Sequence, residues 1–520
     1  MKTIDIELSP EQYALPELRQ QVVARQLGCR VDDIAHIVVV KRSLDARRKQ
    51  VRYRCLLEVY KEGEPYVPAD FSSPYRDCRQ APPVVIVGAG PAGLFAALRC
   101  LEVGLRPIIV DRGKSVDQRK QDIALLGRSR RVDPNSNWCF GEGGAGTYSD
   151  GKLYTRSTKR GNVGDILKKF VEHGAEPDIM IDAHAHIGTD RLSGIIANIR
   201  HTIEEYGGEY HFDTRVVDFV VQDNKVKGVR TLGGETIEGT GVILATGHSA
   251  RDIYELFARR GWLLQAKPFA MGVRVEHPQM LINSIQYHSA KPSAYLPPAA
   301  YSLTTQVEGH GVFSFCMCPG GVIVPAATAE GEQVVNGMSN AHRSSPYANS
   351  GIAVTVGLED VPQMAQHGPL ALLRFQQEVE QRVFQAAGNT ISAPTQRLTD
   401  FCESKGSVSL NKTNYLGPTV NSPLHELLPP FIVGCLQKGF RAFDQKMRGF
   451  YTEQASLLAV ESRTSSPVRI PRGDDYQHLQ LSNLYPCGEG AGYAGGIVSS
   501  AIDGVNCVDA LCRNNHLETV

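Results

Sequence analysis

The chain has no surplus of charge of either sign. Its 520 residues carry 55 Lys and Arg against 55 Asp and Glu. It therefore has no global basic field to draw in nucleic acid or an anionic membrane. Long apolar runs are also missing. None approaches the roughly 20 residues that a membrane helix needs. The opening residues, Met1-Lys2-Thr3-Ile4-Asp5-Ile6-Glu7, contain neither an apolar h-region nor a small-residue cleavage site, so no secretory signal is expected there. No internal repeat and no low-complexity tract stands out. The 12 cysteines follow no regular spacing, and several, such as Cys55, Cys100 and Cys435, sit among apolar residues. A chain long enough to build its own core gains little from a disulfide framework. Reduced thiols and a cytoplasmic location are expected.

At this length one hydrophobic core does not suffice, and two or three domains are expected. Residues 1–80 read as a small N-terminal α+β unit. Pro16 to Leu27 has helical spacing with proline at its first position. Ile34 to Val40 and Val51 to Tyr60 read as strands on either side of a basic connector, Lys41 to Gln50. Pro65 to Pro83 reads as a linker. Further on, 364–388 has a helical pattern, and 441–460 is expected to form another helix.

The strongest local signal is Gly88-Ala-Gly90-Pro91-Ala92-Gly93, between the apolar strand Pro83 to Val87 and a helix from Pro91 to Val103. Gly88 permits a tight turn, Gly90 lets the backbone approach a pyrophosphate, and Gly93 lets the helix pack against the strand. The helix head offers free N–H groups and a positive dipole end to phosphates. Asp111 follows 23 residues after Gly88, at the end of the next strand, where a carboxylate can accept both ribose hydroxyl protons. A Gly-rich turn without ligand would show the glycines alone. Strand, helix, second strand and acidic residue together point to a dinucleotide.

Two later segments select FAD over NAD by resemblance. Ala245-Thr246-Gly247 ends a strand, as the segment beside the cofactor does in two-dinucleotide flavoproteins. Gly488-Glu489-Gly-Ala-Gly492 resembles their Gly-Asp signature, with Glu489 in place of Asp. The segments Phe140 to Leu153, Phe315 to Gly321, Glu461 to Arg469 and Tyr485 to Ile497 extend the likeness over nearly all of the chain after residue 80. The chain resembles the glutathione-reductase-type FAD proteins and, within them, a bacterial family of FAD-dependent dehydrogenases with no established substrate. The resemblance implies an α/β fold. A Rossmann-like FAD domain would come from 81–265 and 449–520, with an inserted α+β substrate or capping domain at 266–448. Candidate cofactor contacts are Gly88, Gly90, Pro91, Ala92, Gly93, Asp111, Arg112, Gly143, Gly144, Val216, Thr246, Gly247, Gly488, Glu489 and Gly492. The helix after Gly496 would aim its N-terminus at the flavin. No second strand-GxGxxG-helix unit follows, so a nicotinamide NAD(P)H donor would have to bind transiently.

Candidates for chemistry are Cys316, Cys318 and Arg463. Alternation along a strand would turn Cys316 and Cys318 to one packed face as inert thiols, and a redox pair is the alternative. No Cys or His pair of matching spacing accompanies them, and no metal site is expected. Arg463 is either a cation on the substrate side or the ion partner of Glu461. Lys152 is either near the flavin or solvated. His184 and His186 read as packing or surface residues, and His248 sits in a segment that Ser249 could cap. The basic residues Lys41, Arg42, Arg47, Arg48, Lys49, Arg52 and Arg54 lack an aromatic platform for nucleic acid and fit a solvated edge. The expected function is two-electron exchange between FAD and a small substrate. A flavin-dependent RNA-modifying enzyme and a non-catalytic redox sensor are the alternatives. The oligomeric state is left open.

Overall fold

The computed structural model describes residues 1–129, 131–155 and 160–517. The first sixty residues form an antiparallel sheet of Lys2–Leu8, Arg52–Lys61 and Ile34–Asp45, with Arg52–Lys61 in the middle. Alternation in Lys2–Leu8 turns Ile4, Ile6 and Leu8 to one face, where they bury with Leu57 and Val23 beneath the helix Pro16–Leu27. The basic segment is not a free connector. Ile34–Asp45 stays paired as far as Asp45 opposite Arg52, which leaves only 46–51 as a hairpin loop. Arg42 ties this sheet to the rest of the chain through the Asp182 carboxylate, with its Nε at 2.5 Å.

A five-stranded parallel sheet follows, in the order Leu484–Pro486, Val242–Leu244, Pro83–Val87, Arg106–Val110, Glu209–His211. Both of its faces are covered, so its strands read as unbroken apolar runs. Val84, Ile86 and Ile109 face the helices Pro91–Val103, Thr189–Glu205 and Ile497–Asn514. Val85, Val87 and Val110 face a small antiparallel sheet of Val216–Gln222, Lys225–Thr231 and Thr236–Glu238, together with the helix Arg251–Arg260.

A seven-stranded sheet makes the third layer system. Its order is Thr304–Val307, His310–Cys318, Tyr347–Val356, Phe269–Pro278, Ser456–Glu461, Ala393–Arg397, Thr419–Asn421, and only the last pair is parallel. The helices Ala371–Ala386 and Pro430–Lys446 share its core. The helix expected over 441–460 is absent. The helix there ends at Lys446, and Ser456–Glu461 is a strand buried along its whole length. A short apolar run does not distinguish helix from strand, and pairing with both neighbours decides it. The sheet thereby takes a strand from beyond residue 448. The pattern over 364–388 is α-helical only from Ala371; before it Pro362–Leu370 is a 3-10 helix that Gly368, at φ +53°, kinks. None of the described helices is long and apolar enough to cross a membrane.

Candidate cofactor site

Four strands of the parallel sheet end side by side, and each continues into one of the expected cofactor segments. Pro83–Val87 leads to Gly88, Arg106–Val110 to Asp111, Val242–Leu244 to Ala245-Thr246-Gly247, and Leu484–Pro486 to Gly488. The crevice outside the carboxyl ends of such strands is where this architecture binds ligands. The turn allows no larger residue. A Cβ on Gly88 would lie 2.4 Å from the Ala245 carbonyl oxygen, and one on Gly93 would lie 1.9 Å from that of Gly88. The loop from Phe140 folds over the turn, with the Gly143 N–H donating to the Ala89 carbonyl at 2.8 Å. Arg119, fully buried, holds that loop by donating to the carbonyls of Asn137, Glu142 and Gly144, each at 2.8 Å. On the opposite side, Asp503 accepts the Gly488 N–H at 2.7 Å, and a Cβ on Gly490 would meet the Gly247 carbonyl at 2.6 Å.

The crevice fits a dinucleotide. A Cβ on Gly90 would have Gly144 Cα, at 3.9 Å, as its nearest neighbour, and Gly247, Gly495 and Gly496 face open space. Arg119 Nη2 is buried without a hydrogen-bond partner. The Asp111 oxygens accept the N–H groups of Ala89 and Gly113, both at 2.8 Å, and each retains a lone pair for a ribose hydroxyl. Arg112 lies over the Phe140 ring and pairs with Asp252 at 2.6 Å. Val216 is buried at the start of its strand, close to Asp111, whose carbonyl accepts the Thr214 N–H. Pro91 and Ala92 form the first turn of the helix. Gly492 lies beside Lys267. Glu489 accepts the Gly496 N–H, and burial together with the nearby Cys316 pushes its carboxyl up to about 7. His248 Nε2 is 3.6 Å from Glu489, but burial and the charges of Arg463 and Arg251 push the imidazole down to about 4, so it is neutral there.

Beside Glu489 the structure gathers a second group. The strand His310–Cys318 slips register between Phe315 and Cys318, and Cys316 takes φ +45°, so regular alternation fails at the two cysteines. The Cys318 thiol donates to the Cys316 carbonyl at 3.3 Å, which sets the two cysteine side chains beside one another. Cys318 is fully buried, and Cys316 is half-buried. Lys152, over a third exposed (37%) though crowded by protein atoms, donates to the Met317 carbonyl and pairs with Asp150 at 3.1 Å. Arg274, fully buried, pairs with Glu461 at 2.6 Å, and Arg343 pairs with Asp150 at 2.7 Å. The Cys318 hydrogen bond and the charges of Lys152 and Arg274 outweigh burial and hold the Cys316 thiol well below the ordinary thiol range.

Other candidates are satisfied internally. Arg463 does not pair with Glu461, which belongs to Arg274. It pairs with Glu332 at 2.8 Å and Glu380 at 3.1 Å, and it also donates to Thr328 and Ser249. His184 is exposed beside the Tyr154 ring, whereas His186 bridges by backbone to Lys152 and contacts the Ala341 carbonyl at 3.2 Å. Cys487, Asp503 and Cys507 lie together, but Arg472 grips both Asp503 oxygens, at 2.6 and 3.0 Å, and stands where a metal cation would. In the N-terminal sheet, Arg42, Arg47 and Arg54 pair with Asp182, Asp45 and Glu7. Lys267, Arg274 and Arg343 were not legible as site residues. Each stands in an unremarkable stretch, and only folding brings it to Glu489 or Cys316.

Comparison with known proteins follows the same division. A family described as FAD binding domain matches residues 83–120. One described as FAD-dependent protein, C-terminal domain-like, matches 268–464. A domain of unknown function matches 1–60. An uncharacterized protein of Clostridium beijerinckii is 37% identical over 509 residues, covering 94% of this chain and 95% of its own length. The chain belongs to the family of that clostridial protein. In this chain a segment matching an FAD binding domain is followed by one matching the FAD-dependent C-terminal type of domain. Among solved structures, CtdE in complex with FAD is similar at 12% identity and a TM-score of 0.33, over 83% of this chain and 84% of that one. Glycerol-3-phosphate dehydrogenase from Bacillus halodurans complexed with FAD is similar at 12% identity and a TM-score of 0.37, over 85% and 67%. Likeness at these scores carries no argument about activity.

Proposed function

We propose that this protein is an FAD-dependent oxidoreductase that exchanges a hydride or an electron pair with a small substrate. The observation that carries the reading is the convergence of Gly88, Asp111, Gly247 and Gly488 at one sheet edge, within a chain whose residues 83–120 match an FAD binding domain. FAD, when bound, supplies two-electron chemistry at its ring. The Gly88–Gly93 turn and the head of the helix Pro91–Val103 hold the pyrophosphate, and Asp111 holds the ribose. Glu489 and the helix head at Gly496 orient the remainder. Segments 81–265 and 449–520 make the cofactor domain. Residues 266–448 make the cap, which borrows the strand Ser456–Glu461, and 1–80 is an appended unit. The Ala-Thr-Gly and Gly-Glu segments support a place among the glutathione-reductase-type flavoproteins, and the free cysteines support a cytoplasmic setting. Arg463 is a positioning residue, because its charge is already matched. A nicotinamide donor, if used, binds transiently, since one dinucleotide motif is present.

The test is spectroscopic. The purified protein, loaded with FAD, is followed at the flavin absorbance under anaerobic conditions while NADH and then NADPH is added. Rapid bleaching supports a nicotinamide-linked oxidoreductase. A protein that stays colourless and takes up no added FAD overturns the proposal.

A further inference from the structure

We infer that Cys316 and Cys318 form a dithiol–disulfide couple that exchanges two electrons with the flavin. The inference rests on FAD occupying the crevice described above.

Position is the first argument. Cys316 lies between two segments assigned to the cofactor. Lys152, at the end of the loop whose Gly143 binds the Gly88–Gly93 turn, reaches the Met317 carbonyl, and Glu489 on the other segment senses the charge of Cys316. Access divides between the sulfurs. The Cys316 side is half-buried and can be reached, whereas Cys318 is enclosed behind it.

Backbone geometry is the second argument. In a regular strand, residues two apart are separated by about 6.6–6.8 Å, at the outer limit of what a disulfide spans. The register slip and the positive φ at Cys316 break that extension, and the Cys318 thiol folds back to within 3.3 Å of the Cys316 carbonyl oxygen. A disulfide closed over a single intervening residue remains strained. Strained disulfides are the easily reduced ones, suited to electron exchange and not to stapling a fold.

Charge is the third argument. Among the described residues Lys152, Arg274 and Arg343 form ion pairs with two carboxylates, Asp150 and Glu461, which leaves one positive charge in excess. His186 adds none, since burial and Arg343 hold its imidazole neutral. One thiolate at Cys316 completes the balance. Glu489 competes for the same excess and keeps its proton to about pH 7, for burial and the Cys316 charge both oppose its ionisation. The thiolate is the form that attacks and is oxidised.

The step balances. The Cys316 thiolate and the Cys318 thiol form one S–S bond as the Cys318 S–H bond breaks. The two electrons and that proton would pass to the bound FAD. The reverse step reduces the disulfide with the same electron pair and proton.

The experiment uses full-length protein loaded with FAD, with flavin content read first. Under anaerobic reductive titration, the oxidised protein should consume four electrons per flavin, and Cys316→Ser and Cys318→Ser should each consume two. Without reference to flavin, the oxidised protein should show a peptide carrying Cys316 and Cys318 that has lost two hydrogens. In the reduced protein, iodoacetamide should label Cys316 at a pH below that of an ordinary thiol, and Lys152→Gln should move that midpoint upward. Two electrons per flavin in the loaded wild type, with no such peptide after treatment with a thiol oxidant, overturns the couple while leaving the flavin site intact. Failure to take up FAD overturns both.

Discussion

Two pairs of cysteines in this protein meet an arginine and a carboxylate, and they differ in how the surrounding charge is matched. At Cys487 and Cys507, Arg472 is matched one-to-one by Asp503, which grips it through both oxygens. Burial and the Cys507 contact then dominate, and the Cys487 thiol is pushed well up. At Cys316 and Cys318, three cations face two carboxylates, and the Cys316 thiol is pulled down. Burial opposes ionisation at Cys316 as it does at Cys487, so burial alone does not set a thiol's state. The Cys318 hydrogen bond and the charges of Lys152 and Arg274 decide it at Cys316.

The comparison breaks most visibly at Arg472. Arg472→Met strands the buried Asp503 carboxylate and should lower stability by about 3–5 kcal/mol, read by urea unfolding, and flavin retention should fall because Asp503 holds Gly488. A cost under 1 kcal/mol would mean that the matched pair is not what stabilises this region.

Glu276 extends the same counting to a buried acid with no cation beside it. Burial pushes it up to about 7, against the lowering by Thr413 and the Asn414 N–H. Its folded value lies above its unfolded one, so the native state binds the proton more tightly between the ordinary glutamate value of 4.5 and about 7. Stability should therefore fall as pH rises through that window, by on the order of 3 kcal/mol. In Glu276→Gln this part of the pH dependence should vanish. An unchanged slope in unfolding curves across that window would contradict the assignment.

Lys152→Gln removes the unmatched charge at Cys316. The pH midpoint for alkylation of Cys316 should rise by about 1–2 units, and the fold should be preserved by circular dichroism. The smallest effect is expected at the Cys507 thiol. Cys507→Ser should leave Cys316 labelling and the electrons consumed per flavin unchanged, with a stability cost of about 1–2 kcal/mol. A change in either redox readout would show that the two pairs are not independent.

Legibility followed locality. Pro16–Leu27 and Pro91–Val103 end in the structure where the sequence places them, since proline at the first position and glycine in the left-handed region after the last, Gly28 and Gly104, are local signals. The apolar runs that became parallel strands were equally plain, and Asp111 stood at a strand end where it was sought. The strand Ser456–Glu461 was misread as helix because nothing within it reveals the neighbours that pair with it. Arg463 was offered Glu461, its near neighbour in sequence, yet folding gave that carboxylate to Arg274 and supplied Glu332 and Glu380 instead. Strand alternation failed at Cys316 because the slip belongs to the pairing with Tyr347–Val356 and not to the strand alone.

By themselves, the residues in order determined a glycine-rich strand–turn–helix, a carboxylate at the end of the next strand and the absence of a net field, because steric allowance at glycine, helix dipoles and charge totals are properties of short segments or of composition. Only the tertiary structure decided which charges face which. Lys152 and Arg274 come from distant segments, and together with the Cys318 hydrogen bond they set the state of Cys316. They meet there only once the chain has folded.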